Sequence, residues 1–461
     1  MVKRNLPRWR VVCGILAIAL VVVFNPWTAS LLSPDGHLES GSTLLVSGLD
    51  VVLVVLGLLF LWGTPTVITG LTISFVAFLF ALIAVDLAAR AFLQDKLYYR
   101  PEDIYKNRLP ELPSHSLFDR NVSYTGKAWG DLASMTTRDE LREERTVTFR
   151  TDSFGYRNDH VDTTKPLDLI ILGDSFGSGA GTSQADMWDA HFRQKYGLNV
   201  YNLSMPGYSP WHELVTLKRE LGRLNVGPQT TVLWAIFGGN DFDELGLPNL
   251  NPPEAGWGRR VATRLRTFFR RSPIKLLADR VLFHASAGVP TDGDSAMVTT
   301  LPDGRTFLFY SQYVRHERRS ADDIRQLPTI PRLQAEFADI KKFSEEKGIR
   351  VLVAHLPTSY SIYDWVLDNR PPWSDSLVNS SSSAVVLREL CDQNGLMYVD
   401  LYPRMLHEAR QLYNKSGEML WWRDDTHWNE HGHEVAATII GDWLKANVPA
   451  RAKNDNTYAP Q

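Results

Sequence analysis

The chain has 461 residues, 22% of them charged, and a formal net charge of −3, a balance that leaves no broad basic surface of the kind that binds nucleic acid. Its two cysteines, Cys13 in an apolar stretch and Cys391 in a polar one, exclude a disulfide framework and a cysteine-rich zinc site. The length leaves room for one large domain or two ordinary ones.

Three apolar segments come first in the chain. Val11–Leu32 carries no charged residue, Gly41–Gly63 carries only Asp50, and Thr66–Val85 carries none. Each runs for about 20 residues, enough for an α-helix to cross a hydrocarbon core about 30 Å thick. Residues 1–93 are therefore expected to form a membrane region with three spans, at about 11–32, 41–63 and 66–88. Pro26 should kink or end the first of them. Lys3, Arg4, Arg8 and Arg10 precede the first span, and the loop after it carries no basic residue. The positive-inside rule then puts the N-terminus in the cytoplasm, and three crossings put the rest of the chain outside it, which is the periplasm in a Gram-negative cell. Two crossings would put it inside.

Residues 94–144, rich in charge, Pro and aromatics, read as a juxtamembrane connector. From Arg145 the sequence "RTVTFRTDSFGYRND" alternates in the manner of a strand and ends in a turn. Five short apolar runs follow: Leu167–Leu172, Leu198–Leu203, Thr231–Ile236, Arg350–His355 and Leu396–Asp400. Continuous runs of this length suit strands buried on both faces. Helical patterns between them, such as His212–Leu224, suit crossover connections. Residues 145–448 are thus expected to be an α/β domain, a parallel five-stranded sheet flanked by helices in three layers. An insertion of about 242–332 carries the basic piece Trp257–Phe283, either a solvated helix face or a surface for lipid head groups or an anionic glycan. A polar tail, 449–461, closes the chain.

Chemistry is expected at the carboxyl ends of such strands. Ser175 follows the first run, in "LGDSFGSG". A serine hydroxyl needs a base to take its proton, a partner to orient that base and donors for the developing oxyanion. Gly207 lies in the turn after the second run, and Asn240 in the turn after the third. His427 lies in "RDDTHWNEHGH", just before a helix for which Asn429 is the expected N-cap, with Asp424 and Asp425 immediately upstream.

The blocks "GDSFGSG", "NLSMPGYS", "FGGND" and "DDTHWNEHGH", in this order, resemble the SGNH/GDSL hydrolase superfamily. The resemblance covers roughly Val147 to Leu444, and its "THW" is similar to the alginate-acetylation type. It implies Ser175 as nucleophile and His427 as base. It also implies an oxyanion hole made of the Ser175 and Gly207 N–H groups and the Asn240 side chain. For the triad acid, a D-x-x-H pattern points to Asp424 and a D-x-H-W pattern to Asp425; Trp428 tilts the choice to Asp425.

Other readings of the same residues compete. His427, Glu430, His431 and His433 could hold a metal, but their spacing is not H-E-x-x-H, and no metal or cofactor is expected. His355 ends a strand and competes for the role of base, with no carboxylate near it in sequence. Asp174 is expected to hold the turn by hydrogen bonds. The expected activity is a membrane-anchored, extracytoplasmic serine esterase or O-acyltransferase. Its expected substrates are acyl esters, acetyl first, of cell-envelope polysaccharide, with a multi-span membrane protein as a possible acyl-donor partner. A lipid esterase, or a non-catalytic membrane-tethered module that binds glycan or a partner, are the alternatives.

Overall fold

The computed structural model describes residues 8–31, 40–92, 100–109, 111–112, 114–136, 138–243, 272–274, 296–373 and 381–448. It divides into two compact units, one of residues 1–97 and 269–289, the other of 98–268 and 290–461.

In the first unit, helices run over Arg8–Phe24, Pro26–Leu31, Ser40–Trp62 and Pro65–Phe92. The first packs on the third through two glycines. A Cβ at Gly14 would lie 3.0 Å from the Gly57 carbonyl, and one at Gly57 2.9 Å from the Gly14 carbonyl, so only small residues permit this approach. Arg10, buried, donates to the carbonyls of Phe60 and Gly63 at 3.2 and 2.5 Å. It thereby satisfies the carbonyls that the end of that helix leaves open.

Among the described residues one helix, Pro65–Arg90, is long and apolar enough to cross a membrane, and Val46–Trp62 is a shorter apolar stretch. The expected first span, 11–32, is divided as Pro26 requires. Asn25 stands between two helices and accepts from the Trp27 N–H at 2.9 Å, which starts the second of them. The pieces are 17 and six residues long.

In the second unit the strands are β1 (Lys106–Arg108), β2 (Ser116–Phe118), β3 (Ser123–Ala128), β4 (Arg145–Arg150), β5 (Leu169–Leu172), β6 (Val200–Asn202), β7 (Thr231–Phe237), β8 (Ala296–Thr300), β9 (Thr306–Tyr310), β10 (Arg350–Leu356) and β11 (Met397–Asp400). β1–β2, β3–β4 and β8–β9 are antiparallel pairs. The remaining five form one parallel sheet in the order β11-β10-β7-β5-β6. Counted along the sheet's own strands this is the flavodoxin-like 2-1-3-4-5 order, with its switch point between β5 and β7.

Both faces of the sheet are buried, which explains the continuous apolar runs. Leu169, Ile171, Leu233, Ala235, Leu352 and Ala354 pack to one side, with helices Trp188–Tyr196 and Glu430–Asn447. Ile170, Leu172, Val232, Trp234, Val351 and Val353 pack to the other, with Pro210–Glu220, Ile330–Lys347 and Ser382–Asn394.

The segment read as a connector, 94–144, belongs from Tyr98 onward to this unit. It contributes helices Pro101–Tyr105 and Asp131–Thr136 and three strands. The far end of the expected insertion holds β8, β9 and helix Ser311–Glu317. Its basic piece, apart from 272–274, and the tail 449–461 lie outside the described residues.

Candidate active site

Ser175 is half-buried at the carboxyl end of β5, beside the switch point. The turn that carries it is tightly built. Asp174 accepts the Phe176 N–H at 2.8 Å, and the Ser175 carbonyl accepts from Ala180 at 3.0 Å. Arg157, 1% exposed, holds the turn from behind. It donates to the carbonyls of Ser178, Gly179 and Thr182 at 3.1, 2.6 and 2.5 Å and pairs with Glu102 at 3.0 Å. Gly173 packs where a Cβ would lie 3.3 Å from that of Ala235 on β7, so the turn sits close against its neighbour strand.

His427 comes from a short loop closed by a bridge between Trp421 and Trp428. Trp428 is fully buried, with ring centroids 5.2 Å from Phe176 and 6.0 Å from Trp188. It anchors the loop under the nucleophile turn. Asn429 caps the following helix, accepting the Gly432 N–H at 3.1 Å. His427 Nε2 then lies 2.7 Å from Ser175 Oγ, and its Nδ1 lies 2.7 Å from Asp425 Oδ1. An ionised carboxylate only accepts, so Nδ1 carries the proton and Nε2 offers its lone pair to the serine hydroxyl.

The two aspartates separate cleanly. Asp425 faces His427. Asp424 points away, accepting the N–H groups of Gly130 and Glu143 at 2.7 and 2.8 Å and pairing with Arg145 at 3.2 Å. Burial pushes the Asp424 carboxyl up to about 6, against the pull of Arg145. For Asp425 burial acts the same way, but Arg100, His427 and Arg145 outweigh it and hold the carboxyl well below the usual range. Arg145 bonds Asp425 Oδ2 at 2.7 Å, and Arg100 reaches Oδ1 at 3.2 Å. Asp131 completes the cluster, taking the Thr426 N–H and hydroxyl at 2.9 and 2.6 Å and lying 3.3 Å from Arg100. Its carboxyl is raised by burial and by Asp425.

Asp131, Asp425 and His427 each offer an atom within 4.8 Å of the others, a spacing a metal ion could use. Here the Arg100 guanidinium bridges the two carboxylates and stands 3.3 Å from His427 Nδ1. The cluster's positive charge is thus supplied by the chain itself.

Gly207 and Asn240 follow β6 and β7, the two strands that flank β5, so all three turns share one end of the sheet. Gly207 is exposed with φ +73°, a conformation suited to glycine, and only Lys106 Nζ, at 3.7 Å, would come near a Cβ there. The space above its backbone is open to a ligand. His355 does not approach Ser175 as a rival base. Its Nδ1 is 2.9 Å from Asp400 and its Nε2 3.0 Å from Ser383, both ring nitrogens being engaged in a buried site. Of the other histidines considered for metal, His431 is 3.7 Å from Glu418 and His433 is buried against Trp188 and Trp428.

Arg100, Asp131 and Arg145 were not among the expected site residues. Each lies some 280–327 positions from the loop it serves, and no local pattern marks them. Arg145 alone had a trace, as the first residue of the strand-like stretch before the first block.

Residues 305–460, a segment containing Asp424, Asp425 and His427 but not Ser175, match the family described as the SGNH hydrolase-like domain of the acetyltransferase AlgX. No curated protein matches the sequence. Among solved structures, TesA is 13% identical, with 60% of this chain and 98% of that one covered and a TM-score of 0.31. An acetyl xylan esterase is 11% identical, with 60% and 99% covered and a TM-score of 0.30. A GDSL-like lipase from Bacteroides thetaiotaomicron is 9% identical, with 60% and 87% covered and a TM-score of 0.28. Scores this low do not bear on function. The family match places an SGNH hydrolase-like domain in this chain, and the four sequence blocks resemble the same superfamily.

Proposed function

We propose that the protein is a serine esterase or O-acyltransferase that works through an acyl-serine. One observation carries the reading: the unbroken hydrogen-bond line from Ser175 Oγ through His427 to Asp425, 2.7 Å at each step. Ser175 Oγ attacks the ester carbonyl carbon while its proton passes to His427 Nε2. The carbonyl oxygen becomes an oxyanion, for which the Ser175 and Gly207 N–H groups and the Asn240 amide are the donors. Collapse breaks the bond to the leaving alcohol, which takes the proton from Nε2. A second hydroxyl then enters by the reverse path, with His427 again as base. Water gives hydrolysis and a sugar hydroxyl gives transfer. Asp425 keeps the imidazole in the productive tautomer and stabilises its charged form, without taking the proton itself.

The substrate we propose is an acetyl ester of cell-envelope polysaccharide, a reading supported by the match to the domain of an acetyltransferase. The membrane anchor and extracytoplasmic placement are supported by the apolar helix Pro65–Arg90 and by the basic residues before and at the start of the first helix. A membrane partner would supply the acyl donor.

The test is turnover of p-nitrophenyl acetate by the full chain in detergent, with Ser175→Ala beside it, and mass spectrometry of the stalled enzyme. Turnover that depends on Ser175, with an acetyl adduct on that residue, is the expected outcome. Equal rates for the two proteins would remove the enzyme reading.

A further inference from the structure

The turn after β7, Gly238–Gly239–Asn240, is gripped by side chains that the mechanism above does not use. His316, at the end of helix Ser311–Glu317, points its Nδ1 at the Gly239 carbonyl, 2.6 Å away, with Asp243 Oδ2 3.2 Å from the same atom. Both neighbours only accept, so the proton sits on Nδ1. Burial lowers the pKa of this ring, which keeps it neutral. The Gly239 carbonyl and the Asn240 N–H belong to one planar peptide unit, so fixing the first fixes the plane from which Asn240 starts.

The next unit is fixed as well. The Asn240 carbonyl accepts the Asp243 N–H at 2.9 Å, and the Asp243 carboxylate is held by Arg319 in two bonds of 2.6 and 2.7 Å. Both peptide planes around Asn240 are thereby pinned. Behind them Gly238 has no freedom: a Cβ there would lie 2.8 Å from Ser383 Oγ, 3.1 Å from His355 Nε2 and 3.3 Å from Glu317 Oε1. The buried His355–Asp400 pair is thus the back wall of this turn.

We propose that His316 is a positioning residue for the acyl-transfer reaction, directing the Asn240 amide toward the oxyanion through its bond to the Gly239 carbonyl. The proposal rests on the reading of Asn240 as an oxyanion donor. A donor misplaced by about 1 Å can cost up to about 100-fold in rate, and the cost falls on the transition state rather than on ground-state binding.

The experiment compares the full chain with His316→Ala, His316→Asn, His316→Gln, Asn240→Ala and the 240/316 double alanine variant, measuring kcat and KM for p-nitrophenyl acetate. An Asn amide can stand where Nδ1 stands; a Gln amide reaches the Nε2 position instead. We expect His316→Ala to lower kcat about tenfold or more with KM changed by less than about twofold. His316→Asn should recover most of the loss and His316→Gln little of it. Removing His316 from the Asn240→Ala protein should cost less than about twofold more, since the two act as one unit. If Asn240→Ala lowers kcat and His316→Ala does not, the positioning role is wrong while the oxyanion reading stands. If Asn240→Ala leaves kcat unchanged, the oxyanion reading itself falls, and the inference with it. Equal activity of the Asn and Gln variants would reduce His316 to packing, and this pair decides the matter even where the alanine variant does not fold.

Discussion

Changing each of the paired aspartates to asparagine separates two roles that neighbouring residues of the same type play. Asp425 has acceptors demanded on both oxygens: His427 and Arg100 at Oδ1, Arg145 and Arg100 at Oδ2. Asparagine offers one acceptor and one donor. With its NH2 toward His427 it forces the imidazole proton onto Nε2, where it blocks proton transfer from Ser175. With its NH2 toward Arg145 it sets donor against donor. The wrong tautomer in a serine-protease triad costs about 10⁴ in kcat, equivalent to about 5.4 kcal/mol, and Asp425→Asn is expected to lose activity on that scale. Asp424→Asn can keep its oxygen on the N–H groups of Gly130 and Glu143, and its NH2 then faces Arg145 in place of the ion pair. We expect it to lose about 1–3 kcal/mol of stability, with kcat within about threefold of the parent once folded. Both are read by p-nitrophenyl acetate kinetics on the full chain, with thermal melts alongside. A loss at Asp424 as large as that at Asp425, or a loss below about tenfold at Asp425, would refute the assignment.

Other consequences follow from the same geometry. Asn240→Ala should lower kcat by about 10²–10³ with little change in KM, as removal of one oxyanion donor does; an unchanged kcat would remove Asn240 from the site. Arg157→Met leaves the buried Glu102 carboxylate and three turn carbonyls without their partner, so a denaturation curve should show a loss of about 3–5 kcal/mol. Asp174 is pushed up to about 6 by burial. Its folded state holds the proton more tightly than the unfolded one, so its contribution to stability falls as pH rises from about 4 to about 6. Asp174→Asn keeps the acceptor for the Phe176 N–H and should flatten stability over that window; an unchanged pH dependence would contradict it. Asp425 has the opposite sign. Its contribution is present above the ordinary carboxylate range and is lost only as pH falls below it, so Asp425 supplies no loss of stability between pH 5 and 8.

All five strands of the sheet were legible, because a strand buried on both faces shows a continuous apolar run. The expected Thr231–Ile236 is β7, Thr231–Phe237, and Leu396–Asp400 is β11, Met397–Asp400. The cap at Asn429 was legible for a similar reason, since a capping side chain bonds within its own helix's first turn. The partners of charged groups were not. His355 has no carboxylate near it in sequence, yet the parallel register sets it directly opposite Asp400. Arg100 precedes Pro101 in a stretch that reads as a connector, and only the folded chain brings it to Asp425. Apolar periodicity reports the side a residue faces; it does not report which residue stands across from it.

The arginines that escaped the sequence also explain how the proposed triad acid can be buried. Asp425 is wholly buried, and an isolated carboxylate there would take up a proton rather than stay charged. A protonated Asp425 would lose the charge that stabilises the imidazolium form of His427 and would set an O–H donor against the donors on its oxygens. Arg145 and Arg100 prevent this from two sides, at 2.7 and 3.2 Å. In the proposed mechanism, an Asp425 so held leaves the proton taken from Ser175 on His427, where the leaving alcohol can collect it. Arg145→Gln should therefore impair the reaction through Asp425 rather than through substrate binding. We expect kcat to fall with KM nearly unchanged, and the loss to be greater at low pH, where an unsupported Asp425 is protonated first. A pH-independent loss, or one confined to KM, would show that the arginine serves the substrate and not the triad.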